Sequence, residues 1–314
     1  MTLAFTFPGQ GSQFVGMGHA LAQAFNSAKA IFEEVDDALN QNLSKTLWEG
    51  PMEDLTLTTN TQPAIMACSL AAMAALKAEF GIDVTQAKYV AGHSLGEYSA
   101  LCAAGAISLY DTARLLRIRG DAMQAAVPVG AGAMAALLGA SLEDAQAAVT
   151  AGAKIGICQI ANDNATGQIV ISGEVLAVEA AAAAAKEIGV KKAVILPVSA
   201  PFHCDMMSPA AKAMEAALGG TEIRAPRVQV VNNVTARPVS YPEQIRRDLV
   251  AQVTGRVRWR ETVLWMSANG ISQMEEPGCG KVLSVMRRRI DKDLTGGALD
   301  TPEKLEAFAK SVTA

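Results

Sequence analysis

The sequence predicts an α/β protein whose parallel-sheet core is interrupted by a small βαββαβ unit of the ferredoxin-like kind. Three observations carry that prediction. Short apolar runs such as LAFTF and VQVVNN alternate with longer stretches of helical period. Between 131 and 199 the signals run strand, helix, strand, strand, helix, strand. The chain has 314 residues, of which 50% are hydrophobic and 18% charged, so it can bury roughly 75% of its extended surface in a large core.

Leu3 to Phe7 reads as a short buried strand. PGQGSQ (8–13) follows, where Gly9 and Gly11 free the backbone on either side of Gln10. A helical stretch is expected from Met17 to Asn40. Thr61 to Phe80 is rich in Ala, Met and Leu and apolar nearly all round, which predicts a buried helix. Tyr89 to Ala91 is a strand, Gly92 to Gly96 a turn and Glu97 to Ala106 a helix. RLLRIRG then puts Arg114, Arg117 and Arg119 on a helix expected to end at Gly120. Those arginines do not share one helix face, so at least one can point inward, where a guanidinium needs an anion.

The inserted unit opens with a strand at 131–139 and a helix at 141–152, begun by Ser141 as N-cap with acidic residues in the first turn. Strands at 154–162 and 167–173 are expected around a turn of Asp163, Asn164, Ala165 and Thr166. A helix over 174–189, closed by Gly189, leads into a strand at 193–199. The expected division is a discontinuous larger part, 1–129 with 198–314, and a smaller part, 130–197. The cleft between them is the default place for a ligand. Beyond the insert come a strand at 228–233, a helix near Tyr241 to Val253, and a strand at 270–276 before the loop PGCGK.

Gly92-His93-Ser94-Leu95-Gly96 matches G-x-S-x-G between an expected strand and an expected helix. A sharp turn there strains the serine and leaves no room for side chains two positions to either side. The match fits a nucleophile held in the open; a tight turn that happens to contain serine is the plainer alternative. Helix-start N–H groups lack intrahelical partners, so that of Leu95 can hold an oxyanion. Three histidines are present to serve as base. His19 falls on a polar helix face, His93 adjoins the serine and suits a pocket wall, and His203 sits in the loop PVSAPFHCD after a strand. By elimination His203 is the general base. Asp111, Asp121, Asp163 and Asp205 are candidates for a third member and none is well placed, so a Ser–His dyad is expected.

The bulk numbers exclude several classes. A charge of −4, from 27 basic and 31 acidic residues, argues against nucleic acid as partner. Five scattered cysteines without a CxxC fit a reducing cytosol. The N-terminus lacks the basic flank of a signal peptide, and no apolar run is long enough to suggest a membrane span. A cytoplasmic protein is expected.

Read in order, FPGQGSQ (7–13), NTQPAI (60–65), GHSLGEYSAL (92–101), RG (119–120), GAMAALLG (132–139), NATGQIVISG (164–173), PVSAPFH (197–203) and VVNN (230–233) resemble the malonyl-CoA:acyl carrier protein transacylases, an acyltransferase family of fatty acid and polyketide synthesis. The resemblance spans nearly the whole chain. It implies an α/β-hydrolase-like core and a malonyl group carried from malonyl-CoA to the phosphopantetheine thiol of acyl carrier protein. Ser94 would be the nucleophile and His203 the base, oriented by the backbone carbonyl of Gln252. The N–H groups of Gln10 and Leu95 would form the oxyanion hole, and Arg119 would pair with the malonyl carboxylate. His93 and Met134 would line the pocket and Asn164 the groove between the two parts, while Phe202 would crowd an α-methyl group.

No metal or redox cofactor is implied, and a monomer is expected. Acyl carrier proteins are acidic, so a basic patch should receive one, with Lys191 and Lys192 the first candidates and Arg287, Arg288 and Arg289 the second. One departure is Cys279, in Glu276-Pro277-Gly278-Cys279-Gly280-Lys281, where the family places proline. It puts the rigidity of that loop in question, and an exposed thiol there would be open to oxidation. A serine thioesterase or other hydrolase, a polyketide-pathway acyltransferase and an inactive docking module remain as alternatives.

Overall fold

Strands form where the short apolar runs lie. A computed structural model describes residues 2–198 and 200–313. Its strands are β1 (Leu3–Phe7), β2 (Tyr89–Gly92), β3 (Gly132–Leu138), β4 (Cys158–Ala165), β5 (Gln168–Glu174), β6 (Lys192–Ile195), β7 (Gln229–Val231), β8 (Pro238–Val239), β9 (Gln273–Pro277) and β10 (Ala298–Leu299). They make two sheets. The larger has the order β10-β9-β1-β2-β7-β8, parallel throughout except for β7 with β8. Every residue of β1, β2 and β9 is buried, as parallel strands covered on both faces should be. Phe7 pairs with Gly92 at the C-terminal ends of β1 and β2, so PGQGSQ and the serine turn leave the sheet side by side.

The smaller sheet is antiparallel, in the order β4-β5-β3-β6, which is the ferredoxin-like arrangement of a βαββαβ unit. Helices Leu142–Gly152 and Val175–Glu187 pack on it, and it has a core of its own around Ala135, Leu137, Ile171 and Ala181. Ser141 caps the first of these helices in a reciprocal capping box with Asp144. The small sheet is tied to the large part at β4. Asp163 N–H donates to the Val257 carbonyl and Val257 N–H to the Ala161 carbonyl. Arg260 grips Asp163 through three contacts of 2.8–3.1 Å.

Several expectations are corrected. The stretch Met17–Asn40 is two helices, His19–Ala24 and Asn26–Leu39, because Phe25 takes an extended conformation and sets its ring edge-on to Phe80. The turn placed at 163–166 lies later, at Thr166–Gly167. Gly167 supplies the positive φ of 72°, while Asp163 and Asn164 stay in β4, which starts at Cys158 and is bulged twice. The arginine helix does not stop at Gly120 but runs Leu109–Ala125; a Cβ at Gly120 would sit 2.7 Å from Thr59 Cα, so this glycine permits close helix packing. The strand at 193–199 is shorter, Lys192–Ile195, and Ser199 lies outside the described residues. Helix Thr58–Phe80 does have the length and composition to cross a membrane, but 72% of its most apolar window is buried inside the protein, where it serves as a core helix.

Candidate active site

The serine sits where β2 turns sharply into helix Gly96–Ala103. Ser94 has φ of 54°, in the left-handed region that a side chain rarely adopts. The flanking glycines are required by space. A Cβ on Gly92 would lie 1.9 Å from the Gly96 carbonyl, and one on Gly96 would lie 2.2 Å from the Phe7 carbonyl. The serine is therefore held at the end of the sheet by backbone packed on backbone.

His203 also has a positive φ, 60°, and brings its Nε2 to 2.8 Å from Ser94 Oγ. Its Nδ1 lies 2.9 Å from the Gln252 backbone carbonyl. A carbonyl can only accept, so Nδ1 carries the proton and Nε2 is the acceptor for the serine hydroxyl. Burial, reinforced by the charge of Arg119, pushes the imidazole down to about 3. A neutral base thus faces Ser94 throughout the physiological range. None of the carboxylates weighed from the sequence serves it. Asp111 bonds Ser108, Asp121 bonds Thr59, Asp163 holds Arg260 and Asp205 accepts from Gln159.

Arg119 is 1% exposed, with Nη1 2.8 Å from Gln62 Oε1 and Nη2 3.0 Å from Gln252 Oε1. Nη2 also donates to Ser94 Oγ at 3.3 Å, and the guanidinium lies over the Tyr98 ring at 5.7 Å. Among the described residues it forms no salt bridge, while its burial disfavours the charge. An anion entering beside Ser94 would supply what it lacks.

Ser94, His203 and Arg119 open onto a cleft of about 480 Å³, lined also by Met134, Phe202 and Asn164. The small sheet contributes Met134 from β3 and Asn164 from β4. His93 is a wall of this cleft, not the base: its Nε2 lies 2.8 Å from Asn164 Oδ1, and burial lowers its pKa. His19 is exposed and stacks on Trp48. Gln10 enters the cleft from the loop after β1, and Leu95 opens the helix after Ser94. Among the described residues neither backbone N–H has an acceptor, so both are free to bind one.

Three participants carried no role in the sequence reading. Gln62, inside NTQPAI, holds Arg119. Asn233, inside VVNN, accepts the Ser94 N–H at 2.7 Å and donates to the Gly92 carbonyl at 2.7 Å. Glu97, just past the turn, is 2% exposed and accepts from Asn233 and Gln252. The motifs contained all three; their spacing along the chain gave no sign of contact.

Two surface expectations need correction. Arg287 is 4% exposed and donates to the Gly296 carbonyl, so only Arg288 and Arg289 of that run are exposed, as are Lys191 and Lys192. Cys279 is not exposed either: it is buried in the main core, and burial pushes its thiol well up. The loop needs no proline to fix it, since Glu276 accepts the N–H groups of Leu283 and Ser284 at the next helix start.

The strained Ser94, facing a neutral imidazole with a buried guanidinium beside its hydroxyl, is built for serine-mediated acyl transfer on an α/β fold. Residues 4–274 match the acyl transferase domain model, and the chain belongs to that family. Its relatives are more particular. The chain is 43% identical over 305 residues to the malonyl CoA-acyl carrier protein transacylase of Bacillus subtilis (strain 168), covering 97% of this chain and 95% of that one. It is similar in structure to the acyl-carrier-protein-S-malonyltransferase of Bartonella henselae, with a TM-score of 0.97, 55% identity and full coverage of both chains. A malonyl-transacylase solved in complex with a type II PKS acyl-carrier protein matches with a TM-score of 0.96 and 40% identity, over 99% of this chain and all of the other.

Proposed function

We propose that the chain moves malonyl from malonyl-CoA to the phosphopantetheine thiol of acyl carrier protein through a malonyl ester on Ser94. The observation that supports it most is Arg119, a buried guanidinium with no salt bridge among the described residues, whose Nη2 touches the serine hydroxyl. Ser94 Oγ attacks the thioester carbonyl while His203 Nε2 takes its proton. The carbonyl oxygen becomes an oxyanion, held by the N–H groups of Gln10 and Leu95. The intermediate collapses, the C–S bond breaks, and His203 returns the proton to the departing CoA thiol. The carrier thiol then gives its proton to His203 and attacks the malonyl ester. The second collapse restores the serine hydroxyl.

Arg119 selects the acyl group, because an acetyl group would leave it buried and unpaired. Phe202 and Met134 narrow the space at the α-carbon. The reading needs no resident metal or redox group and treats 130–197 as a part that closes the cleft over 1–129 with 198–314. It also assigns a soluble, cytoplasmic monomer whose carrier-facing surface includes Lys191 and Lys192.

The test is intact mass after brief exposure to malonyl-CoA, with and without holo acyl carrier protein. A malonyl adduct that is absent from Ser94→Ala and discharged to the carrier is expected. Rapid CoA release without a carrier, and no malonylated carrier with one, would make the protein a hydrolase.

A further inference from the structure

Ser94 stands in a conformation that its own backbone disfavours, so something must hold it. Both of its peptide groups are gripped by side-chain amides. Its N–H donates to Asn233 Oδ1 at 2.7 Å, and its carbonyl accepts from Gln252 Nε2 at 2.9 Å. The two residues converge on one atom, Asn233 through its backbone and Gln252 through its side chain. Glu97 Oε2 accepts the backbone N–H of Asn233 at 3.0 Å and the Nε2 of Gln252 at 2.8 Å. Glu97 is buried and forms no salt bridge among the described residues, so no ion pair explains its place there.

The consequences reach the rest of the site through Gln252. Because Glu97 and the Ser94 carbonyl both take hydrogens from Nε2, the Gln252 amide is fixed with Oε1 toward Arg119. The same residue's backbone carbonyl orients His203. We infer that Glu97 is a positioning residue for acyl transfer: its carboxylate anchors the Asn233–Gln252 clamp that keeps Ser94 in its strained, attacking conformation. The Glu97 backbone N–H bonds the Ser94 carbonyl at 3.1 Å, but its carboxylate takes Asn233 and Gln252 as partners and neither Ser94 Oγ nor the His203 ring. It acts by denying Ser94 a relaxed backbone and by denying Gln252 the flipped amide that would turn N–H groups toward Arg119.

The inference rests on Ser94 being the nucleophile of the proposed reaction, and its test separates the two. A fluorophosphonate probe carries neither a carboxylate nor CoA, so its reaction with Ser94 reports the nucleophile without the pairing of Arg119 with an acyl carboxylate. Labelling of wild type that is lost in Ser94→Ala establishes the nucleophile independently of malonyl transfer.

Glu97→Asp withdraws the carboxylate by one methylene, so it cannot reach both partners. Glu97→Gln keeps an oxygen at the same reach. With the aspartate variant, fluorophosphonate labelling and single-turnover malonylation should both fall, by roughly 10- to 100-fold, with little change in the malonyl-CoA concentration at half-maximal rate. The glutamine variant should recover to within about threefold of wild type. A destabilised but correctly set site would give fewer titratable serines, each reacting at the normal rate, so rates are taken per titrated site. Wild-type labelling per site in Glu97→Asp would overturn the inference. So would a loss confined to malonyl-CoA with normal probe labelling, which would move the effect from Ser94 to Arg119.

Discussion

Arg119 and His203 are both buried, yet burial does opposite things for their chemistry. For Arg119 it makes an unmatched charge costly, so the side chain discriminates by what an acyl group fails to offer. Arg119→Ala should therefore lower malonyl transfer by about 100-fold or more and raise acetyl transfer relative to it, read as the ratio of kcat/KM for the two acyl-CoAs. Equal losses would make Arg119 structural. For His203, burial keeps the proton off, and the sign of its effect on stability follows. Between its unfolded value of 6.5 and its folded value of about 3 the unfolded chain binds a proton that the native chain refuses, so stability rises with pH. Glu97 opposes it. Burial raises that carboxyl from 4.5 to about 7, so the native chain holds a proton the unfolded chain releases, and stability falls as pH rises through this window. The two slopes offset each other between 4.5 and 6.5. Glu97→Gln removes one of them. Urea unfolding should show the variant losing stability relative to wild type on acidification across that interval, by up to about 1.4 kcal/mol per pH unit. Parallel slopes would mean Glu97 stays ionised in the native protein.

At the scale of elements, the decisive piece is the strand-turn-helix around Ser94, and its glycines act through contact. Gly96→Ala would drive a methyl to 2.2 Å from the Phe7 carbonyl and force helix Gly96–Ala103 away from β1. The expected result is a stability loss of about 1–3 kcal/mol by thermal melting and a larger loss in acylation, since the Leu95 N–H moves with the helix. Melting and acylation both at wild-type levels would show that the turn tolerates a methyl. This element was legible in the sequence because its chemistry is local: strand, glycine, serine, glycine, helix. The ferredoxin-like unit was legible for the same reason, through alternating periods and capping residues such as Ser141. What stayed hidden is what folding brings together from afar. Glu97 and Asn233 are 136 residues apart, and Gln62 and Arg119 are 57 apart. The dyad's orienting group is a backbone carbonyl, which any residue type could supply, so the family resemblance pointed to Gln252 where the identity of the residue could not. The sequence around Asp163 suggests a turn because exposed turns favour aspartate. The Asp163 backbone pairs with Ile169 within the sheet, and its buried carboxylate is met by Arg260, 97 positions later.

The whole molecule is two sheets that meet over one cleft, and Asp163 sits at their junction. Its neighbours in β4, Asn162 and Asn164, both line that cleft, and Asn164 reaches across to His93. Asp163 itself is 0% exposed, held by the Arg260 fork and by the backbone bridge to Val257. Arg260 side-chain atoms remain 27% exposed, so water can partly replace the guanidinium once it is gone. Arg260→Ala should accordingly cost about 1–3 kcal/mol, below the range for a fully buried pair that loses one partner. The more telling effect is on function. With β4 released on that side, Asn164 loses its fixed distance to His93, and the substrate-binding wall shifts while the clamp on Ser94 does not. KM for malonyl-CoA should rise several-fold with fluorophosphonate labelling of Ser94 unchanged per site. A matching fall in labelling would mean that the junction, and not the large sheet alone, holds the nucleophile in place. An unchanged melting temperature together with unchanged KM would mean that the bridge through Val257 suffices to join the two sheets.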